Sequence, residues 1–97
     1  MATTKKSQSF TEKSIDFILT MPNVSKVMVA GSFNNWNFKE TPLKKSSSNN
    51  TWRRSVTLKP GRYEYKFVVD GRWITDPNNS NRSWSTMGTE NSVIEVR

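Results

Sequence analysis

The chain has 97 residues, 33% hydrophobic, 11% aromatic and 24% charged, a length that holds one small domain and leaves no room for a two-domain enzyme. Lys and Arg number 15 against 8 Asp and Glu, for a formal charge of +7, and the chain has neither Cys nor His, which excludes disulfides, thiol chemistry, zinc sites and histidine acid-base catalysis. The basic residues are scattered, with only the pairs Lys5 Lys6, Lys44 Lys45 and Arg53 Arg54, so the charge predicts solubility and a mild attraction to polyanions rather than a nucleic-acid arm.

In chain order, residues 1–12 are polar with one Phe and predict a flexible tail, leaving residues 13–97 as the folded module. They also lack the apolar core of a signal peptide. No apolar run reaches the roughly 18 residues that span a bilayer, so a cytoplasmic protein without a membrane partner is expected. From Lys13 the apolar residues recur with period two, as Ile15, Phe17 and Leu19, until Pro22 and Asn23 end a first strand. Lys26 to Ala30 predicts a second strand, stopped by Gly31. Lys44 to Asn50 (KKSSSNN) reads as a plain flexible connection. Thr51 to Leu58 predicts a third strand before Pro60 Gly61, and Arg62 to Val69 a fourth before the hairpin signal Asp70 Gly71. A short piece at Arg72 to Thr75, a long loop from Asp76 to Asn91 and a last strand at Ser92 to Val96 complete the chain. No stretch carries a helical period over three turns, and the class is all-β, an antiparallel sandwich or barrel.

Alternation assigns faces. Tyr63, Tyr65, Phe67 and Val69 share the core side of the fourth strand, so Glu64, Lys66 and Val68 point outward. Arg54 shares a parity with Trp52, Val56 and Leu58, which requires either a bulge or a stem lying along the core edge with its head in water. Phe33 and Trp52 are assigned to the core. Trp36, in the turn-rich GSFNNW, and Trp73, just after Asp70 Gly71, are candidates for exposure, and two open indoles near each other suggest a binding platform. A flat indole suits a ligand with a flat apolar face and a polar edge, as a pyranose has. Asn34, Asn35, Asn37, Asn78, Asn79, Asn81, Asn91, Thr89 and Lys66 can serve the hydroxyls at the rim, although most loop Asn residues are expected to make turns.

GSFNNW (31–36), Pro42 Leu43, PGRYEYKFVVDGRW (60–73), Asp76 Pro77 and GTENSV (88–93), in that order, resemble the glycogen-binding module of AMP-activated protein kinase beta subunits, within the family 48 carbohydrate-binding modules. The resemblance implies an immunoglobulin-like antiparallel β-sandwich that binds α-1,4-linked glucans such as glycogen, starch and maltooligosaccharides, without catalysis. It implies that Trp36 and Trp73 stack on successive glucose units and that Lys66, Thr89 and Asn91 hydrogen-bond their hydroxyls. Met87 stands where the family has a leucine that protrudes into the curve of the glucan; it keeps an unbranched apolar tip of similar reach. The resemblance also allows a kinase or a glucan-active enzyme as a protein partner. The segment that joins beta subunits to other subunits has no counterpart in these residues, so the sequence reads either as a free-standing protein or as one module. Trp84 has no counterpart in the pattern: it either extends the stacking surface or packs under the loop. Gly71 and Gly88 are expected to serve turns, and Asp70 and Asp76 to cap them.

Two other functions compete with this one. A glycosidase needs two carboxylates in a desolvated pocket, and the acids near the platform, Asp70 and Asp76, both lie in turn signatures; no catalytic residue, cofactor or metal is expected. Single-stranded nucleic-acid binding uses a similar mixture of rings and cations, and salt dependence separates it from binding of a neutral glucan.

Overall fold

A computed structural model describes residues 12–46, 49–86 and 88–97. The expected tail, apart from Glu12, and Met87 lie outside the described residues. The fold is an antiparallel sandwich of two sheets, in agreement with the expected class. One sheet has the order β1 (Lys13–Thr20), β4 (Thr51–Leu58), β3 (Lys44–Lys45). The other has the order β2 (Val27–Gly31), β5 (Gly61–Val69), β8 (Glu90–Val96), β7 (Arg82–Trp84), with β6 (Arg72–Ile74) also paired to β5. A 3-10 turn at Ser32–Asn34 is the one helical element among the described residues.

The alternating sequences form strands because each buries one face. Phe17 and Leu19 of β1, Val27 and Val29 of β2, Trp52 of β4, and Tyr65, Phe67 and Val69 of β5 meet in one core with Leu43. The Phe17 ring links the sheets, edge-on to Tyr65 at 5.0 Å and stacked on Phe33 at 5.3 Å. Phe33 is half-buried against the core, while Trp52 is buried with no partner for its indole N–H among the described residues.

Two expectations are corrected, and one open alternative, for Arg54, is decided. The segments read as loops each contain a short strand: β3 pairs Lys44 with Arg53 and Lys45 with Trp52, and β7 pairs Arg82 to Trp84 with Ser92 to Glu90. Both are edge strands of two or three residues, set by the partner ladder and too short to show a period. Val68 lies on the outer face as its parity requires, yet it is buried, because its cross-strand neighbours on that face are Met28 and Trp73. Arg54 needs no bulge: the β1–β4 register runs unbroken from Lys13↔Leu58 to Thr20↔Thr51, and the guanidinium donates to the Pro42 carbonyl at 2.9 Å.

Candidate functional site

The first indole is presented by the turn after β2. Gly31 is required there by space, since a Cβ would lie 2.5 Å from the Glu64 carbonyl oxygen and 2.7 Å from the Phe33 ring. The buried Asn34 holds the turn: its amide oxygen accepts from the Gly31 N–H at 3.0 Å, and its amide nitrogen donates to the Val29 carbonyl and the Thr41 hydroxyl. Asn35 and Trp36 then take left-handed backbone angles, φ 56° and 59°, and the Trp36 N–H donates back to the Gly31 carbonyl at 2.8 Å. A bulky residue in that region costs about 1–3 kcal/mol, which the surrounding bonds of the turn offset. The strained backbone turns the indole to the surface, where 36% of the residue stays open.

The second indole follows a tight hairpin. Asp70 and Gly71 both have positive φ, 47° and 86°, as a two-residue loop matched to strand twist requires. The Asp70 carboxylate accepts from the backbone N–H groups of Ser25, at 3.0 Å, and Lys26, at 2.9 Å. The ladder then pairs Trp73 with Val68, so the ring stands on the outer face of β5 with Glu64 and Lys66, 44% exposed. Phe38 meets it edge-on, with ring centroids 6.1 Å apart at 80°. Phe38 escaped the sequence reading; its signal was a third aromatic residue two positions after Trp36 in the same turn.

Polar groups line the rest. The Lys66 ammonium donates to the Thr89 hydroxyl at 3.2 Å. The Asn91 amide donates to Glu64 Oε1 at 3.0 Å, and Arg62 donates to Oε2 of the same carboxylate at 2.7 Å. These two bonds, Asn91 first, hold the Glu64 carboxyl below its ordinary range. Strand parity makes Glu64 outward-facing and says no more, since nothing in sequence pairs it with Asn91, 27 positions away.

Trp36, Lys66, Trp73, Thr89 and Asn91 all line one open groove of about 770 Å³. Its other lining residues are Glu64 and, from the β7–β8 hairpin, Trp84, Ser85 and Thr86. The described residues that the resemblance singles out are thus brought together, whereas Asn34, Asn35, Asn37, Asn78, Asn79 and Asn81 do not line the groove. Trp84 is 70% exposed, which excludes the reading that it packs under the loop.

Several other polar residues serve the scaffold. The buried Asp76 carboxylate accepts from the Tyr65 hydroxyl at 2.6 Å and from the Asn78 N–H at 2.9 Å, and Asn79 donates to Tyr65 and to the Val93 carbonyl. Burial first, and the Asp76 carboxylate second, push the Tyr65 hydroxyl well above its ordinary range. Asp76 therefore caps its turn, as expected, whereas the Asp70 carboxylate ties its hairpin to the β1–β2 connection through the Ser25 and Lys26 N–H groups. No group of three or more acidic side chains that could hold a metal ion occurs among the described residues.

The arrangement offers flat apolar faces beside amide, hydroxyl and ammonium groups, and among the described lining residues the one lysine, Lys66, and the one glutamate, Glu64, cancel in charge. Residues 17–97 match the family described as the glycogen recognition site of AMP-activated protein kinase. The chain belongs to that family. Over 72 residues, 74% of this chain, it is 42% identical to the 5'-AMP-activated protein kinase subunit beta-2 of Homo sapiens and 39% identical to subunit beta-1 of Sus scrofa. It spans 25% of the human subunit and 55% of the pig sequence. Among solved structures, ferric enterobactin esterase from Salmonella typhimurium superposes with a TM-score of 0.76 at 17% identity, covering 90% of this chain and 32% of the esterase. Enterochelin esterase from Shigella flexneri gives 0.73 at 14% identity, covering 88% of this chain and 30% of that one. At that identity the likeness to esterases is one of fold, and a shared sandwich carries no activity with it.

Proposed function

We propose that this domain is a non-catalytic receptor for α-1,4-linked glucans, such as glycogen, starch or maltooligosaccharides, and that Trp36 and Trp73 stack on successive glucose units. The observation that carries the reading is the meeting of two open indoles with Lys66, Thr89 and Asn91 in one groove of a chain from a glycogen-recognition family. The axial C–H groups of the sugar lie on the indole faces, and the rim donors and acceptors take the hydroxyls. Met87 is proposed to supply the apolar contact inside the curve of the glucan.

Binding through two or three rings gives about −4 to −7 kcal/mol, that is, dissociation constants from about 1 mM to about 10 μM for short oligosaccharides. Multivalent glycogen is held more tightly through avidity. The single-stranded nucleic-acid alternative finds no support: among the described residues Lys66 is the one cation in the lining, and Glu64 stands in the same lining. Association with a kinase complex, suggested by the beta-subunit relatives, and a cytoplasmic location belong to the same proposal; among the described residues no helix is long and apolar enough to cross a membrane.

The test is electrophoresis in a native gel containing glycogen, followed by calorimetric titration with maltoheptaose. Retarded migration and micromolar to millimolar binding are expected; migration identical to that in a plain gel sinks the reading.

A further inference from the structure

We propose that Trp84 is an outlying stacking subsite that engages only glucan chains long enough to run beyond Trp36 and Trp73, so that this chain selects for length. The inference rests on the glucan-binding reading above. Among the described residues Trp84 is the most exposed large hydrophobic one, 70% open against 36% for Trp36 and 44% for Trp73. No described aromatic ring packs against it, whereas Trp73 is propped by Phe38. An indole so open contributes nothing to the core and leaves apolar surface in water, which marks a contact surface.

Its position sets the order of contacts. Trp84 ends the edge strand β7 at its pair with Glu90, while the preceding pair is Ser83↔Asn91. Alternation places Ser83 on the side of Asn91 and sets Trp84 toward the opposite flank of the hairpin, although it still borders the same groove. Beyond that pair the hairpin closes through Ser85 N–H to the Thr89 carbonyl at 2.7 Å and Gly88 N–H to the Ser85 carbonyl at 3.1 Å. On this proposal a sugar chain lying on Trp36 and Trp73 beside Lys66 and Thr89 reaches Trp84 last, at the edge strand that borders the groove. An α-1,4 glucan coils, so added residues curve toward such a flank instead of running straight into solvent. A trimer that fills the two inner rings has nothing left to reach the third.

The experiment is calorimetric titration of the wild type, Trp84→Ala and Trp84→Phe with maltotriose and with maltodecaose, alongside thermal melting of each protein. The expected result is that Trp84→Ala melts as the wild type does, binds maltotriose unchanged and loses about three- to tenfold in affinity for maltodecaose, with Trp84→Phe in between. Unchanged maltodecaose binding by Trp84→Ala overturns the subsite while leaving the glucan reading intact. An equal loss on both sugars also overturns it, because Trp84 then serves the inner site or the fold. Failure of the wild type to bind either sugar sinks the glucan reading and the subsite with it. A drop in melting temperature for Trp84→Ala transfers the decision to Trp84→Phe, whose maltodecaose affinity must fall selectively for the subsite to stand.

Discussion

Each sheet carries an open groove of similar size, and the two are built from different side chains. The groove of about 840 Å³ on the three-stranded sheet is lined by Lys44, Lys45, Arg53 and Arg54 with hydroxyl and amide neighbours and has no ring among the described residues. The groove of about 770 Å³ on the five-stranded sheet is lined by three tryptophans, with Lys66 and Glu64 as its charges. Four of the 15 Lys and Arg residues line the first groove, while recognition of a neutral ligand is proposed for the second. A net charge reports on solubility and polyanion attraction; where flat apolar faces meet polar rims is a local matter that the total does not record.

The sharpest way to break this contrast is to remove a ring from the five-stranded face. Trp36→Ala or Trp73→Ala should weaken maltoheptaose binding by about tenfold or more, on the order of 1.4 kcal/mol, while the melting curve holds; full affinity in either variant removes that ring from the site. Gly31→Ala attacks the scaffold under the first ring. The new methyl meets the Glu64 carbonyl, Phe33 and Tyr65, so a destabilisation of about 1–3 kcal/mol is expected, read from chemical denaturation.

A smaller effect is expected from the prop. Phe38→Ala should lower affinity a few-fold, since Trp73 loses one edge contact worth about 0.5–1.5 kcal/mol and keeps its place in the ladder. The pH dependence sharpens the role of the Asn91 pair. The folded chain holds Glu64 ionised more strongly than the unfolded chain does, so its contribution is complete above its ordinary pKa of 4.5 and is lost as pH falls through the lowered value. Stability and maltoheptaose affinity should be flat from neutral pH to about 4.5 and decline below it, and Glu64→Gln should flatten the decline. The smallest effect is expected on the cationic face: Arg53→Ala should leave glucan affinity unchanged, and so should raising salt from about 50 to about 200 mM. A steep salt slope at the tryptophan groove would reverse the assignment of the two faces.

The longer strands were legible because each buries one face, which writes a period of two into the chain: β1 and β4 appear with the boundaries Lys13 and Thr51 to Leu58, and β5 differs by one residue. The Asp70 Gly71 turn was legible for a similar reason, since positive φ at both positions restricts the residue types. What stayed hidden depends on partners distant in sequence. β7 exists because β8 offers it a ladder, Val68 is buried because Met28 and Trp73 flank it, and Phe38 matters because it meets Trp73 across the face.

By itself, then, the sequence determined an all-β class, a core built on Phe17, Leu19, Tyr65, Phe67 and Val69, and a motif set that names a glucan-recognition family. Those features are local periodicities and turn chemistries, and they survive in one dimension. The tertiary structure decided that Trp36, Lys66, Trp73, Thr89 and Asn91 share one groove, that Glu64 grips Asn91, and that Trp84 stands open at its flank. Exposure and proximity arise only when two sheets close on each other, because a side chain's surroundings come from segments that the chain order keeps apart.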